Sequence, residues 1–201
     1  MIDPHLIQLK DICSACEAVL FDMDDVLCHL DDTKRIQFLH DLSGMPHDDI
    51  AYAIWGSGFE DRTDAGEFTA EEYLVEFGQR IGYPISRREW CEYRKSGMTP
   101  IPEMLAFAAG LKDTHKLGIL TNNGLLLVEE IDFLFPELSV IFGDNIFCSA
   151  QFGVRKPDPA VYIAACGELG TVTGATIFID DRHQNVEGAR SAGMSAYHFL
   201  V

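Results

Sequence analysis

Four short apolar runs, three of which stop at Asp or Thr, constrain this chain more than any other feature. Residues 18 to 22 read Ala-Val-Leu-Phe-Asp, residues 117 to 121 Leu-Gly-Ile-Leu-Thr, residues 176 to 180 Thr-Ile-Phe-Ile-Asp, and residues 194 to 200 Met-Ser-Ala-Tyr-His-Phe-Leu. Continuous hydrophobicity suits a strand covered on both faces, as in parallel sheets, and a polar residue at its end opens onto the edge where such sheets bind ligands. Helical patterns separate the runs: 101 to 111 behind Pro100 and Pro102, 124 to 135, 159 to 169 with Asp158 and Pro159 at its start, and 184 to 192 closed by Gly193. Strand and helix in alternation imply an α/β fold built on a doubly wound parallel sheet.

Residues 29 to 97 break the rhythm. They hold helical segments without a convincing buried strand, and two of these segments open on capping boxes: Thr69 with Glu72, and Ser86 with Glu89. Leu74, Phe77 and Ile81 fall at helical spacing in the first, Trp90 and Tyr93 in the second, as core contacts of a helical unit. The expected organisation is a discontinuous catalytic core, 1 to 28 and 98 to 201, with a helical cap of 29 to 97 inserted after the first strand.

Chemistry gathers at the strand ends. Asp22-Met23-Asp24-Asp25 crowds carboxylates after the first run, and their repulsion is answered by a hard cation such as Mg²⁺, although an isolated D-x-D reads equally as an acidic surface turn. Asp180-Asp181 repeats the arrangement at the end of the third run. Thr121, Asn122, Asn123 and Gly124 offer a hydroxyl and backbone N–H groups where a helix begins, either a phosphate cradle or an ordinary N-cap. Lys156 sits in Arg155-Lys156-Pro157-Asp158-Pro159, where prolines hold one ammonium in place, unless it is a solvated surface lysine.

Taken in order, Val-Leu-Phe-Asp-Met-Asp-Asp-Val-Leu, Gly-Ile-Leu-Thr-Asn-Asn, Val-Arg-Lys-Pro-Asp-Pro and Ile-Phe-Ile-Asp-Asp-Arg-His-Gln-Asn-Val-Glu-Gly-Ala resemble the four motifs of the haloacid dehalogenase-like superfamily, in its group with a helical cap after the first strand of a Rossmann-like core. The last run is similar to sugar-phosphate phosphatases of the α-glucose-1-phosphate type. The resemblance implies that Asp22 attacks phosphorus through an aspartyl phosphate. It implies that Asp24 is the acid and base, that Thr121, Asn122 and Lys156 bind the phosphoryl group, and that Asp22, Asp24 (through its carbonyl), Asp180 and Asp181 hold Mg²⁺. Asp25 departs from the pattern, which often has Gly or Asn there. The cap is expected to select the substrate, a small phosphorylated metabolite, with Arg62 in Trp55-Gly56-Ser57-Gly58-Phe59-Glu60-Asp61-Arg62 as the candidate contact.

A net charge of −17, from 15 basic and 32 acidic residues, argues against nucleic acid as a partner. Six cysteines, mostly inside apolar stretches, fit free thiols in a reducing compartment, and Cys13 and Cys16 lack the second pair that a zinc site requires. The first residues show no leader pattern and no stretch reaches membrane-spanning length, so a soluble cytoplasmic enzyme is expected. Oligomeric state is not legible. A phosphomutase shares these motifs, a dehalogenase usually lacks Asp24, and a receiver domain, which also uses Asp, Thr and Lys, places its acidic pair first in the chain.

Overall fold

The apolar runs become strands of a five-stranded parallel sheet in the computed structural model, which describes residues 4–200. Helix α1 (Pro4–Cys13) leads into β1 (Ala18–Phe21), and β2 (Cys28–Leu30) follows as half of a separate ribbon. Next come α2 (Asp32–Ser43), α3 (His47–Ala51) running into a π-helical turn at Tyr52–Gly56, α4 (Phe59–Asp64), α5 (Ala70–Ile81) and α6 (Arg87–Ser96), and then β3 (Met98–Pro100). The rest alternates: α7 (Pro102–Leu111), β4 (Lys116–Thr121), the short helices α8 (Leu125–Glu129), α9 (Ile131–Leu134) and α10 (Pro136–Phe142), β5 (Ile146–Cys148), α11 (Pro159–Glu168), β6 (Thr176–Asp180), α12 (His183–Ser191) and β7 (Ser195–His198).

The strand order is β5-β4-β1-β6-β7, all parallel, so the winding reverses at β1 and its carboxyl end lies between those of β4 and β6. Ala18 aligns with Lys116 on one side and Thr176 on the other. That register brings Asp22, Thr121 and Asp180 to one edge, where open α/β sheets bind their ligands. Side chains of β1 alternate between two cores: Val19 and Phe21 on one face, Ala18 and Leu20 on the other. Burial on both faces is why the run is apolar throughout.

Between β2 and β3 the chain is helical. Both capping boxes form, and Gly82 closes α5 at φ 67°, in the left-handed region that favours glycine. Phe77, Ile81, Trp90 and Tyr93 are buried, Leu74 only partly, and Tyr73 joins them. Phe59 stacks on Tyr73 at 5.3 Å between ring centroids and Phe77 lies 5.4 Å from Tyr93, an aromatic core continuous with the apolar face of the sheet that carries Phe21.

One local expectation is corrected, and two features fall outside the sequence reading. The segment 124 to 135 is two short helices, broken where Glu130 leaves helical geometry at φ −106°, ψ 10°. Strand β5 has no counterpart in the sequence reading, because three residues between a glycine turn and a 3₁₀ turn carry no period. The chain enters and leaves its helical stretch through the antiparallel pairing of Cys28 to Leu30 with Pro100 to Met98, a ribbon that straddles the expected boundaries at 28 and 98. No helix among the described residues is long and apolar enough to cross a membrane.

Candidate active site

Asp22 is the first residue past β1, and its backbone N–H donates to Ile179 O at 2.8 Å, so the sheet ladder itself sets its position. Its Oδ1 accepts from the Met23 N–H at 2.7 Å and lies 2.9 Å from Lys156 Nζ. The same ammonium donates to Asp180 Oδ2 at 2.8 Å, and it is 1% exposed while Asp180 is 0% exposed. Lys156 is therefore a fixed cation between two buried carboxylates. Its loop is fastened to the end of β4: Lys156 N–H donates to Asn122 Oδ1 at 2.8 Å, and Asn122 Nδ2 donates back to Lys156 O at 2.9 Å.

Asp180 is held from its other side by the Arg182 N–H at 2.7 Å and by Asn185 Nδ2 at 3.1 and 3.0 Å. A Cβ at Gly188 would fall inside contact distance of the Pro157 carbonyl, so α12 seats against the lysine loop only with glycine there. This gives Asn185 and Gly188 of the last motif a physical reason. Thr121 Oγ1 accepts from Asn123 Nδ2 at 2.7 Å and is buried beside this edge.

The charges act on one another. Burial pushes the Asp22 carboxyl well above the usual range, with Asp180 and Asp24 adding to this and Lys156 opposing it. Burial would also raise Asp180, but Lys156 and the Arg182 N–H hold it low. Lys156, which burial alone would lower, is raised by both carboxylates. Asp181 is raised by burial and by Asp180.

Carboxylate oxygens of Asp22, Asp180 and Asp181 lie within 4.8 Å of one another. Three oxygen donors at such spacing, two of them buried and mutually repelling, fit a hard divalent cation that keeps waters and a substrate phosphate in its shell. Asp24 does not join them through its side chain. Both of its oxygens are turned to Arg94 Nη2, at 2.8 and 2.7 Å, so any metal contact from Asp24 falls to its carbonyl. Burial would raise Asp24, and the Arg94 guanidinium holds it below the usual carboxylate range. Asp25 has φ 58° and its Oδ1 accepts from the Leu30 N–H at 3.2 Å. Left-handed backbone at this place is tolerated by Gly, Asn and Asp, which accounts for the departure in the first motif.

Above the edge opens a cavity of about 230 Å³. Its floor includes Asp22, Thr121, Asn122, Lys156 and Asp181, and helices α2, α4 and α6 contribute Arg35, Glu60, Asp64 and Arg94 to its walls. Trp55 and Asp61 also line it, but Arg62 does not. Arg62, the expected substrate contact, lies outside this lining: its side chain, 46% exposed, donates to Glu67 Oε1 at 3.0 Å and its guanidinium lies over the Phe68 ring. It stands on the outer face of α4, while Glu60 and Asp64, at i−2 and i+2, line the cavity. The sequence reading missed Arg94, Arg35, Glu60 and Asp64. One signal was present: Arg94 follows Trp90 by four residues, a cation on the buried face of α6.

Six free cysteines are present, Cys16 half-buried and the others buried, and burial pushes the Cys13 thiol up to about 12, away from reactivity.

The family model for haloacid dehalogenase-like hydrolases matches residues 16–193. Phosphatase MT3486 of Mycobacterium tuberculosis is 30% identical over 191 residues, covering 90% of this chain and 85% of that one. Sesquiterpene phosphatase astK of Aspergillus oryzae is 26% identical over 190 residues, covering 93% and 91%. Among solved structures, a family enzyme of Bacteroides thetaiotaomicron, bt-2542, in complex with magnesium and inorganic phosphate, aligns with a TM-score of 0.76 at 20% identity, over 90% of this chain and 93% of that one.

Proposed function

The chain belongs to the haloacid dehalogenase-like hydrolases, and from that membership we propose that it is a Mg²⁺-dependent phosphatase hydrolysing a small phosphorylated metabolite through an aspartyl phosphate on Asp22. The observation that carries this reading is Lys156 Nζ held 2.9 Å from Asp22 and 2.8 Å from Asp180 at the edge of the sheet, inside the carboxylate cluster.

In the proposed reaction an Asp22 oxygen attacks phosphorus in line and the ester P–O bond breaks; Asp24, which Arg94 holds as a carboxylate in the free site, takes up a proton from solvent and passes it to the leaving oxygen. A water then gives a proton to Asp24 and its oxygen attacks phosphorus, breaking the bond to Asp22 and releasing inorganic phosphate. The Thr121 hydroxyl and the Asn122 N–H hold phosphoryl oxygens, and Lys156 offsets their charge and keeps Asp22 aimed. Bound to Asp22, Asp180, Asp181 and the Asp24 carbonyl, Mg²⁺ supplies Lewis-acid charge that lets two anions approach.

We read the helices of 29 to 97 as a cap that covers the edge and selects the ester. Charged and hydroxyl-compatible walls, with Glu60, Asp64 and Arg35, favour a hydroxylated leaving group such as a sugar over an isoprenoid. Purified protein with Mg²⁺ against sugar phosphates, nucleotides, phosphoglycolate and an isoprenyl phosphate tests this. Phosphate release that stops on chelation and is fastest with sugar esters is expected. Fluoride release from fluoroacetate without phosphate release from any ester would replace the reading with a dehalogenase.

A further inference from the structure

Helix α6 belongs to the helical insertion and has no residue in the sheet, yet it reaches the loop after β1. Trp90 and Tyr93 fix the helix in the aromatic core, and Arg94, one turn past Trp90, leaves that core toward Asp24. Arg94 as a whole is 3% exposed, and a single nitrogen, Nη2, lies within hydrogen-bond distance of both Asp24 oxygens, at 2.8 and 2.7 Å. Asn123 Nδ2, at 3.4 Å from Oδ2, and Cys28 Sγ, at 3.8 Å from Oδ1, also reach this carboxyl, but both contacts are longer and the shorter bond of Asn123 goes to Thr121. Arg94 thus dominates the orientation of the Asp24 side chain.

A merely structural ion pair would tie the insertion to the core, but that task is done elsewhere. Arg87, on the same helix, donates to Glu130 at 2.6 Å and to Glu129 at 2.8 Å on the core side, and Lys95 donates to Phe133 O at 2.9 Å. Arg94 instead grips a group that takes part in the reaction. Resting on the phosphatase reading, we propose that Arg94 is a positioning residue, supplied by the insertion, that sets the aim of Asp24 for proton transfer to and from the reacting oxygens.

The test is a cycle of Arg94→Gln, Asp24→Asn and the double variant, with Arg87→Gln as the comparator that breaks an ion cluster of the same helix without touching Asp24. Rates are measured with Mg²⁺ on an alkyl phosphate and on p-nitrophenyl phosphate. Arg94→Gln is expected to lower kcat on the alkyl ester by on the order of 10²-fold, the low end of acid–base assistance, with little change in KM. The activated ester is expected to retain a burst of nitrophenolate followed by slow turnover, and Arg94→Lys to recover part of the loss. In the Asp24→Asn background, Arg94→Gln is expected to cost nothing further, because a group acting only through Asp24 has nothing left to act on. The double variant also guards against misfolding, since it removes both charges of the buried pair and leaves neither stranded.

Additive losses in the double variant overturn the inference. So does a loss from Arg94→Gln that is equal for both esters and matched by Arg87→Gln, which marks a clamp. No phosphate release from any ester by the wild type would overturn the phosphatase reading and this inference with it, whereas additivity in an active enzyme overturns this inference alone.

Discussion

The carboxyl edge of the sheet and the helical insertion above it build one cavity by different means. At the edge, position comes from the backbone: Asp22, Thr121 and Asp180 stand at the ends of three adjacent strands, and Lys156 is partnered within the edge itself. In the insertion, position comes from helix faces packed in an aromatic core, and the charges find partners across the cavity, Arg94 on Asp24 and Arg155 of the core on Asp61. The difference teaches that the reacting groups are set locally and tolerate little change. Their covering is set by tertiary packing, and on the proposed reading that is where the substrate is selected.

The largest effect should come from the edge. Asp22→Asn is expected to lower phosphate release by roughly 10⁴-fold or more, since on the proposed mechanism it removes the attacking oxygen along with one charge of the carboxylate cluster. Its fold should persist, because Lys156 keeps Asp180 at 2.8 Å and carboxylate repulsion is relieved. Steady-state phosphate release beside a melting curve checks both, and near wild-type turnover would exclude an aspartyl phosphate on Asp22.

Asp24→Asn strikes where the two regions meet. Turnover should fall by about 10² to 10⁴-fold, the usual worth of acid–base assistance. An activated aryl phosphate should still phosphorylate Asp22, so rapid quench should trap phosphoenzyme that wild type does not accumulate. Undiminished turnover would remove Asp24 from the chemistry.

Legibility in the sequence divides along the same line. Strands β1, β4 and β6 are readable because burial on both faces makes them apolar, and each runs into a polar residue: Asp22 just past β1, and Thr121 and Asp180 at the ends of β4 and β6. Asn185 and Gly188 are visible as a pattern, but their reasons, the hold on Asp180 and the close seat on Pro157, exist only in three dimensions. Choosing Arg62 over Arg94 shows the limit. Both are arginines on helices, and which face of α4 meets the cavity depends on how the insertion docks, a fact no local period contains. Strand β5 is too short to carry any period at all.

A smaller effect, on stability, separates the regions by their electrostatics. Burial, with repulsion from Glu60, raises Asp64 to about 8, and Arg155 opposes this incompletely. Between its unfolded value of about 4 and about 8 the folded chain keeps a proton that the unfolded chain releases, so this group's contribution to stability falls as pH rises across that window. Asp64→Asn cannot titrate and should escape that decline. At pH 8.5 its Tm should exceed that of wild type by several degrees, given about 2–4 °C per kcal/mol in a chain of this size, while at pH 4 the two should nearly coincide. Parallel Tm profiles across pH would mean that Asp64 is ionised in the fold at little cost.

The smallest effect belongs to Arg62, and its smallness is informative. Its side chain is 46% exposed and pairs with Glu67, whose own is 48% exposed, at 3.0 Å, so both charges are largely hydrated already. Exposed pairs of this kind are typically worth about 0.2–1 kcal/mol, and salt screens them. Arg62→Ala should therefore shift Tm by no more than about 2–4 °C, the equivalent of about 1 kcal/mol at this length. Because the side chain faces away from Glu60 and Asp64, kcat/KM should stay within about twofold of wild type on every ester of the panel, since discrimination requires a contact made differently with different substrates. Glu60→Gln, on the cavity side of the same helix, provides the contrast: its effect should vary from ester to ester and be greatest where the leaving group carries hydroxyls. If Arg62→Ala instead redistributed selectivity while Glu60→Gln did not, α4 would have to present its opposite face to the substrate, and the division between an outward Arg62 and an inward Glu60 would fail.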